Sequence, residues 1–81
     1  MKVAVISAIL ENPILCQEKF NSTLASFRGN IKGRMGIPLE EEVSVISIVV
    51  KGELNEINSL TGKLGNINGV TVKTAISKKE I

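Results

Sequence analysis

The chain has 81 residues, of which 43% are hydrophobic and 22% are charged, values typical of one globular domain. The net charge of +2 comes from residues spread along the sequence, so the clustered positive charge of a nucleic-acid-binding surface is missing. One cysteine and no histidine exclude an internal disulfide bond and the commonest transition-metal ligand, so we expect neither a metal nor another cofactor.

The first predicted unit is a strand followed by a helix. Residues 3–10 are rich in β-branched side chains and are far fewer than the about 20 that span a membrane. No small-residue cleavage site follows them, so we expect a strand of a cytoplasmic protein. Asn12 is placed to cap the next helix, with Pro13 at its first position. The apolar residues at helical spacing in that helix are Cys16, Phe20, Leu24 and Phe27.

The middle of the chain predicts two strands joined by an acidic turn. Residues 31–35 alternate between small or apolar and basic side chains, and Gly36 and Pro38 are expected to end this short strand. Glu40, Glu41 and Glu42 are expected to form a solvated loop. Residues 43–50 form the second strongly β-like segment, which should end before Gly52.

The last third predicts a helix, a turn, a strand and a frayed tail. The apolar residues that indicate an amphipathic helix are Leu54, Ile57, Leu60 and Leu64. Residues 65–69 have the composition of a turn, and residues 70–76 alternate as a strand does. Residues 78–80 are expected to be a frayed tail.

The resulting order, β-α-β-β-α-β, predicts one α+β domain over residues 1–81 with the ferredoxin-like fold. Its four-stranded antiparallel sheet should have the strand order 4-1-3-2, with both helices on one face. The first and third strands are the most apolar and belong in the centre of the sheet. The second strand contains glycines beside a proline, which suits an edge.

The central strands are apolar on both sides, although an open antiparallel sheet usually has one polar face. A second apolar face indicates an interaction surface, most simply the interface of a two-fold homodimer. A small molecule, a peptide or simple exposure are the alternatives. The predicted oligomer interface is Ala4, Ile6, Ala8, Ile46 and Ile48.

The sequence offers little chemistry for an enzyme. Cys16 lies on the apolar face of its helix, and there is no histidine to activate it, so buried packing is the favoured interpretation. RNA-binding sheets of this topology stack bases on aromatic residues of the first and third strands, and these strands contain none. We therefore predict a protein that is not an enzyme and that binds neither nucleic acid nor a membrane.

Two segments carry glycines inside predicted elements. In residues 33–38, Gly33, Met35 and Gly36 could border a ligand or subunit groove, and Arg34 could bind an anion. The alternative is a twisted edge strand that leads into a turn. In residues 60–65, Gly62 follows Thr61 and is costly in a helix unless close packing or a ligand explains it. A small residue without consequence is the alternative there.

The same segments, 33–38 and 57–65, together with 45–50 and 69–74, resemble the family of iron-only hydrogenase system regulators over nearly the whole chain. The resemblance implies a small ACT-like domain, similar to the regulatory domain of the nickel-responsive repressor. Because the chain lacks histidine, the repressor's nickel site is not implied. No ribbon-helix-helix segment precedes the domain, so we expect no DNA binding of that kind.

Residues 11–15 also resemble the Asp-x-Pro-Gly-Leu loop of amino-acid-binding ACT domains, with Ile14 in place of the glycine. If a ligand binds, we expect it between subunits, near Asn12, Arg34 and Lys63. The implied function is a regulatory or sensor module that acts as a dimer or tetramer when a small effector or a larger protein binds. The alternative is a structural adaptor or assembly factor that docks on a partner protein without a small ligand.

Overall fold

The computed structural model describes residues 1–40 and 42–81, except for the side chain of Glu40. The acidic loop predicted at residues 40–42 therefore lies partly outside the described residues. In chain order, the elements are β1 (Lys2–Glu11), α1 (Pro13–Ala25), β2 (Asn30–Glu40), β3 (Val43–Gly52), α2 (Leu54–Gly65) and β4 (Val70–Ile76). Neither helix is long and apolar enough to cross a membrane in the part of the chain that is described.

The four strands form one sheet in the order β2-β3-β1-β4, and every neighbouring pair is antiparallel. This is the predicted order read from the other edge. The apolar strands β1 and β3 occupy the centre, and β2 is an edge strand, as the residue pattern indicates. The ferredoxin-like βαββαβ fold is thus confirmed.

The hydrophobic core lies between the sheet and the two helices. From the helices it includes Phe20 of α1 and Leu64 of α2, which are fully buried. From the sheet it includes alternate residues of β1 and β3, which lie side by side in the paired strands. These sheet residues are Ala4, Ile6, Ala8, Leu10, Ile46, Ile48 and Val50.

The predicted oligomer interface is therefore wrong in its residues. Ala4, Ile6, Ala8, Ile46 and Ile48 are all in the core against the helices and at most 7% exposed, so they cannot contact another subunit. The reason is parity. A strand presents successive side chains to opposite faces, and when both sets are apolar the sequence does not tell which set faces the helices.

The alternate residues on the opposite side of the sheet form the face that no helix covers, which we call the open face. Its rows follow the strand register across β4, β1, β3 and β2. The rows are Ala75, Val5, Val49 and Gly33; then Lys73, Ser7, Ser47 and Met35; then Thr71, Ile9, Val45 and Ile37. Of these twelve residues only Lys73 is charged, and Val5, Ile9 and Val49 of the central strands are exposed, so the prediction that these strands are apolar on both sides is confirmed.

Strand β2 is longer than predicted, because it continues through Gly36 and Pro38 to Glu40. Proline has no N–H to donate, but an edge strand has donors that point to solvent and need no partner. The register with β3 is irregular between Ile31 and Gly33 and again between Pro38 and Glu40. Such bulges twist an exposed edge away from regular pairing.

The predicted fraying of the C-terminal tail is also wrong. The N–H groups of Ser77 and Ile81 donate to the carbonyl groups of Val3 and Met1 at 2.8 and 2.7 Å. The carboxylate of Glu80 accepts a hydrogen bond from the terminal ammonium group of Met1, which lowers the pKa of Glu80. The tail therefore runs alongside the start of β1 and extends its pairing.

Candidate functional site

The junction between β1 and α1 has an unusual backbone conformation. Asn12 has φ 58° and ψ 62°, the left-handed region that asparagine tolerates better than most residues. A side-chain cap normally needs an extended backbone at this position, and the Asn12 side chain makes no such bond. The prediction that Asn12 caps α1 is therefore wrong, whereas Pro13 does begin the helix.

Backbone hydrogen bonds fix this junction to two other loops. The N–H of Glu11 donates to the carbonyl oxygen of Gly69 at 2.7 Å. The N–H of Asn12 donates to the carbonyl oxygen of Glu42 at 2.6 Å, and its own carbonyl accepts from Leu15 at 2.9 Å. The start of α1, the turn after α2 and the turn before β3 consequently meet at one end of the sheet.

A cavity of about 330 Å³ opens where these loops meet, and we call it the strand-end cavity. It is lined by Glu11, Asn12, Leu15, Asn68 and Gly69. The two amides offer donors and acceptors, Glu11 offers a carboxylate, and Leu15 offers an apolar wall that is 81% exposed. The volume lies at the lower end of small-molecule sites, and the lining suits a ligand with an ammonium group and a short apolar part.

A second depression of about 410 Å³ lies between α1 and α2, and we call it the helix groove. Its lining is polar and carries two lysines: Lys19, Ser22, Thr23, Ser26, Lys63 and Asn66. Lys63 also lies in the last turn of α2, where a cation stabilises the negative end of the helix dipole. The groove thus combines basic and hydroxyl groups, in contrast to the acidic strand-end cavity.

Arg34 lies on the other flank of α1. Its Nη2 donates to Asn21 Oδ1 at 2.8 Å, and its guanidinium carbon is 6.0 Å from the centre of the Phe20 ring. These contacts place Arg34 against the helix and leave it at the surface. Asn12, Arg34 and Lys63 therefore belong to three separate places in one chain: the strand-end cavity, the flank of α1 and the helix groove.

The two glycine-containing segments are also apart in the fold. Gly33 and Met35 belong to the open face at the β2 edge, and Gly36 is on the other side of β2, near Ile46. Thr61 bonds to Thr74 of β4, the strand at the opposite edge, at 2.8 Å. Gly62 is exposed, and a Cβ atom there would meet nothing within 4 Å.

Thr61 is expected to contribute to stability through this hydroxyl pair. Thr61→Val removes the bonds of Thr61 Oγ1 to Thr74 and to the carbonyl of Ile57 at 3.0 Å. The half-buried hydroxyl of Thr74 then loses its partner, and we expect a loss of about 1 kcal/mol in the free energy of unfolding. Urea denaturation measures this loss. The double variant with Thr74→Val should recover part of it, and an equal or greater loss in the double variant would contradict the pairing.

The remaining groups that bear on catalysis or metal binding are Cys16 and the carboxylates. The thiol of Cys16 is buried, as predicted, and its sulfur lies 3.8 Å from the carbonyl oxygen of Glu11. Nowhere in residues 1–40 and 42–81 do three His, Cys, Asp or Glu residues group in a way that could hold a metal ion. The polar groups of the cavity and the groove are suited to binding.

Four residues of the strand-end cavity were not predicted as site residues: Glu11, Leu15, Asn68 and Gly69. The sequence did contain their signals. Glu11 and Leu15 belong to the segment that resembles the ACT loop, and Asn68 and Gly69 belong to the predicted turn at 65–69. Bringing the two segments together requires the pairing of β4 beside β1, which places Gly69 next to Glu11.

The strand order and the two helices on one face define an ACT-like fold. The ACT domain of GTP pyrophosphokinase from Chlorobium tepidum superposes with a TM-score of 0.77 at 17% identity, covering 90% of this chain and 96% of that chain. The model of the TM1266-like family, provisionally described as an iron-only hydrogenase system regulator, matches residues 2–74. The chain belongs to this family.

Two further solved structures are similar to this chain. TM1266 of Thermotoga maritima is 34% identical to this chain and has a TM-score of 0.87. The match covers 96% of this chain and 100% of that chain. CPII, a PII-like protein of Thiomonas intermedia solved with ADP, AMP and acetate, has a TM-score of 0.51 at 15% identity, covering 96% and 90%. The latter likeness concerns the fold alone. No curated protein matches the sequence significantly.

Proposed function

We propose that this protein is a non-catalytic sensor module of the iron-only hydrogenase system, which binds a small effector in the strand-end cavity and acts as a homo-oligomer. The observation that carries the proposal is the cavity itself, in which acidic, amide and apolar groups converge beside a junction held by backbone hydrogen bonds. A site fixed in this way binds without the cost of ordering its loops. The family description supports the regulatory role.

The lining chemistry favours an apolar amino acid as the effector. The carboxylate of Glu11 suits an ammonium group, the amides of Asn12 and Asn68 suit a carboxylate, and Leu15 suits an apolar side chain. Adenine nucleotides, the ligands of CPII, carry phosphates that Glu11 would repel. Among small molecules, the amino acids are therefore the first class to test.

We expect one or a few apolar amino acids to raise the melting temperature. ADP should leave the melting temperature unchanged. A ligand at 100 times its dissociation constant adds about 2.7 kcal/mol of stability. For a domain of this size that corresponds to more than about 10 °C. Differential scanning fluorimetry measures the shift, and native mass spectrometry of the protein purified without additives tests for a bound adduct.

Two asparagines of one turn provide a matched pair of variants. Asn68 lines the strand-end cavity, and Asn66 lines the helix groove. Asn68→Ala should abolish the ligand-induced shift, and Asn66→Ala should preserve it. A shift that survives Asn68→Ala but not Asn66→Ala would move the effector site to the helix groove, where Lys63 lies.

A protein partner is the second candidate, and exposed apolar side chains at the start of α1 favour it. Ile14 and Leu15 are 89% and 81% exposed, so their apolar surface is almost entirely open to solvent. Such residues suit an adaptor or assembly factor that docks on a larger protein without a small ligand. Lack of stabilisation by every small molecule, together with binding that Ile14→Asp abolishes, would favour the adaptor.

A further inference from the structure

The open face carries an apolar surface that the fold leaves uncovered. In the central strands its exposed members are Val5, Ile9 and Val49, and on β2 they are Met35 and Ile37. Met35 is the most exposed of these, at 60%. Within the three rows the one charge is Lys73, on β4 at the edge, so their centre holds only apolar residues and two serines. The charged residues Lys51 and Glu11 lie on the same side beyond the two ends of these rows. The open side of an antiparallel sheet is usually polar, so this composition indicates a contact.

Gly33 makes a gap in this face. The register irregularity between Ile31 and Gly33 lies beside it, but a β-bulge requires glycine only where the residue is left-handed. Gly33 pairs with Val49 in the first row, and a Cβ atom built on it would meet nothing within 4 Å. Its φ is not positive, so a side chain would cause no backbone strain. Glycine weakens a strand, and no contact within the chain requires it here. The gap is therefore suited to a group from outside the chain.

We infer that the open face packs against the same face of a second copy of the chain, and that Gly33 marks a point of close approach. Facing sheets pack about 10 Å apart with interdigitating side chains, so a gap on one sheet accepts a protruding side chain from the other. Met35 protrudes next to the gap on the same strand, and its unbranched side chain adapts to irregular spaces. One face thus offers both the protrusion and the gap that a two-fold contact requires.

The size of the face fits this occupant. Four strands at about 4.8 Å spacing and about ten residues of 3.3 Å rise cover roughly 600 Å². A standard interface buries about 800 Å² per partner, and the relief of the side chains raises the accessible area above the flat footprint. The net charge of +2 per chain adds little repulsion between two copies.

The inference rests on the homo-oligomer of the proposed function and not on the strand-end cavity. Of the residues that line the cavity, only Glu11 is on the side of the open face, and it lies beyond the three rows at the end of β1. A failure of dimerisation would therefore leave the response to amino acids intact, and a failure of that response would leave the dimer intact.

The test compares two glycines that both have free space around them. Gly33→Val fills the gap with a side chain that strands favour, so the monomer should stay folded while the dimer loses close packing. We expect the dimer dissociation constant to rise at least about tenfold. Gly62→Ala, on the exposed side of α2, should leave it unchanged. Sedimentation velocity over a range of micromolar concentrations measures the constant, and far-UV circular dichroism verifies the fold.

A second variant places a charge at the centre of the face. Ser7 lies opposite Lys73 on β4, so Ser7→Glu gains a cross-strand ion pair in the monomer but buries a carboxylate in the dimer. It should also raise the dissociation constant at least about tenfold. A wild-type monomer at all these concentrations would overturn the inference. So would a dimer that tolerates both Gly33→Val and Ser7→Glu, because its interface would then be elsewhere, such as the free edge of β2.

Discussion

Replacing Phe20 by alanine is expected to lower the free energy of unfolding by about 3–5 kcal/mol. Phe20 is on the inner side of α1, is 0% exposed and is the largest of the fully buried side chains. The only other aromatic residue, Phe27, is half-buried at the edge of the core. Because the core of so small a domain has few large side chains, its neighbours cannot close around the cavity that the substitution leaves.

The expected loss is large compared with the total stability of the domain. A chain of 81 residues has a free energy of unfolding of roughly 4–12 kcal/mol on average values. Phe20→Ala should therefore leave a marginal domain that unfolds at a much lower urea concentration. Arg34, whose guanidinium group lies over the Phe20 ring, would lose that contact as well.

A control on the same helix separates burial from helix propensity. Ile14 is 89% exposed in the first turn of α1, and Ile14→Ala should change the stability by less than about 0.5 kcal/mol. Urea denaturation followed by circular dichroism, at one protein concentration for all variants, measures both changes. Equal losses in the two variants would mean that α1 packs on the sheet through a different face.

The architecture could be predicted from the sequence because the apolar residues of each helix and strand recur with the spacing typical of that element. Helical spacing at Phe20 and Leu24 and alternation along β4 both correspond to buried faces in the structure. The strong apolar character of β1 and β3 predicted their central position, since a strand buried between two neighbours carries the most apolar residues. Local pattern and global topology agree here, which is the usual mark of a well-specified fold.

The assignment of the two sheet faces needed the structure. Ile48 is fully buried and its neighbour Val49 is exposed, although both are β-branched and apolar. Nothing local distinguishes them, because the choice depends on which side the two helices cross. The predicted length of β2 was wrong for a similar reason. Pro38 would end a central strand, but it is tolerated in an edge strand such as β2.

One wall of the candidate site could be predicted from the sequence, and the opposite wall could not. The segment around Asn12 resembles a ligand-binding loop, and the structure places Asn12 in the strand-end cavity. The opposite wall, Asn68 and Gly69, is more than fifty positions away in the printed sequence. Its contribution follows from the antiparallel pairing of β1 with β4, which a single sequence does not give residue by residue.

Gly69→Ala is expected to destabilise the protein by about 1–3 kcal/mol. Gly69 has φ +85°, a conformation that a residue with a Cβ atom adopts only with strain. That Cβ atom would also lie 2.8 Å from the carbonyl oxygen of Glu11, closer than such atoms approach each other. The backbone cannot move freely to relieve this contact, because the Gly69 carbonyl accepts the hydrogen bond from the N–H of Glu11.

Gly62→Ala is the matched control for this substitution, because it adds the same methyl group where nothing lies within 4 Å. Gly62 is inside α2, so alanine there should stabilise the protein by about 0.5–1 kcal/mol. Opposite signs for the two glycines, measured by urea denaturation, would establish that Gly69 is fixed by the β1–β4 junction. If Gly69→Ala were neutral, the turn would have to relax away from Glu11, and the strand-end cavity would change shape with it. An amino-acid-induced thermal shift that stayed the same in such a variant would argue against the cavity as the effector site.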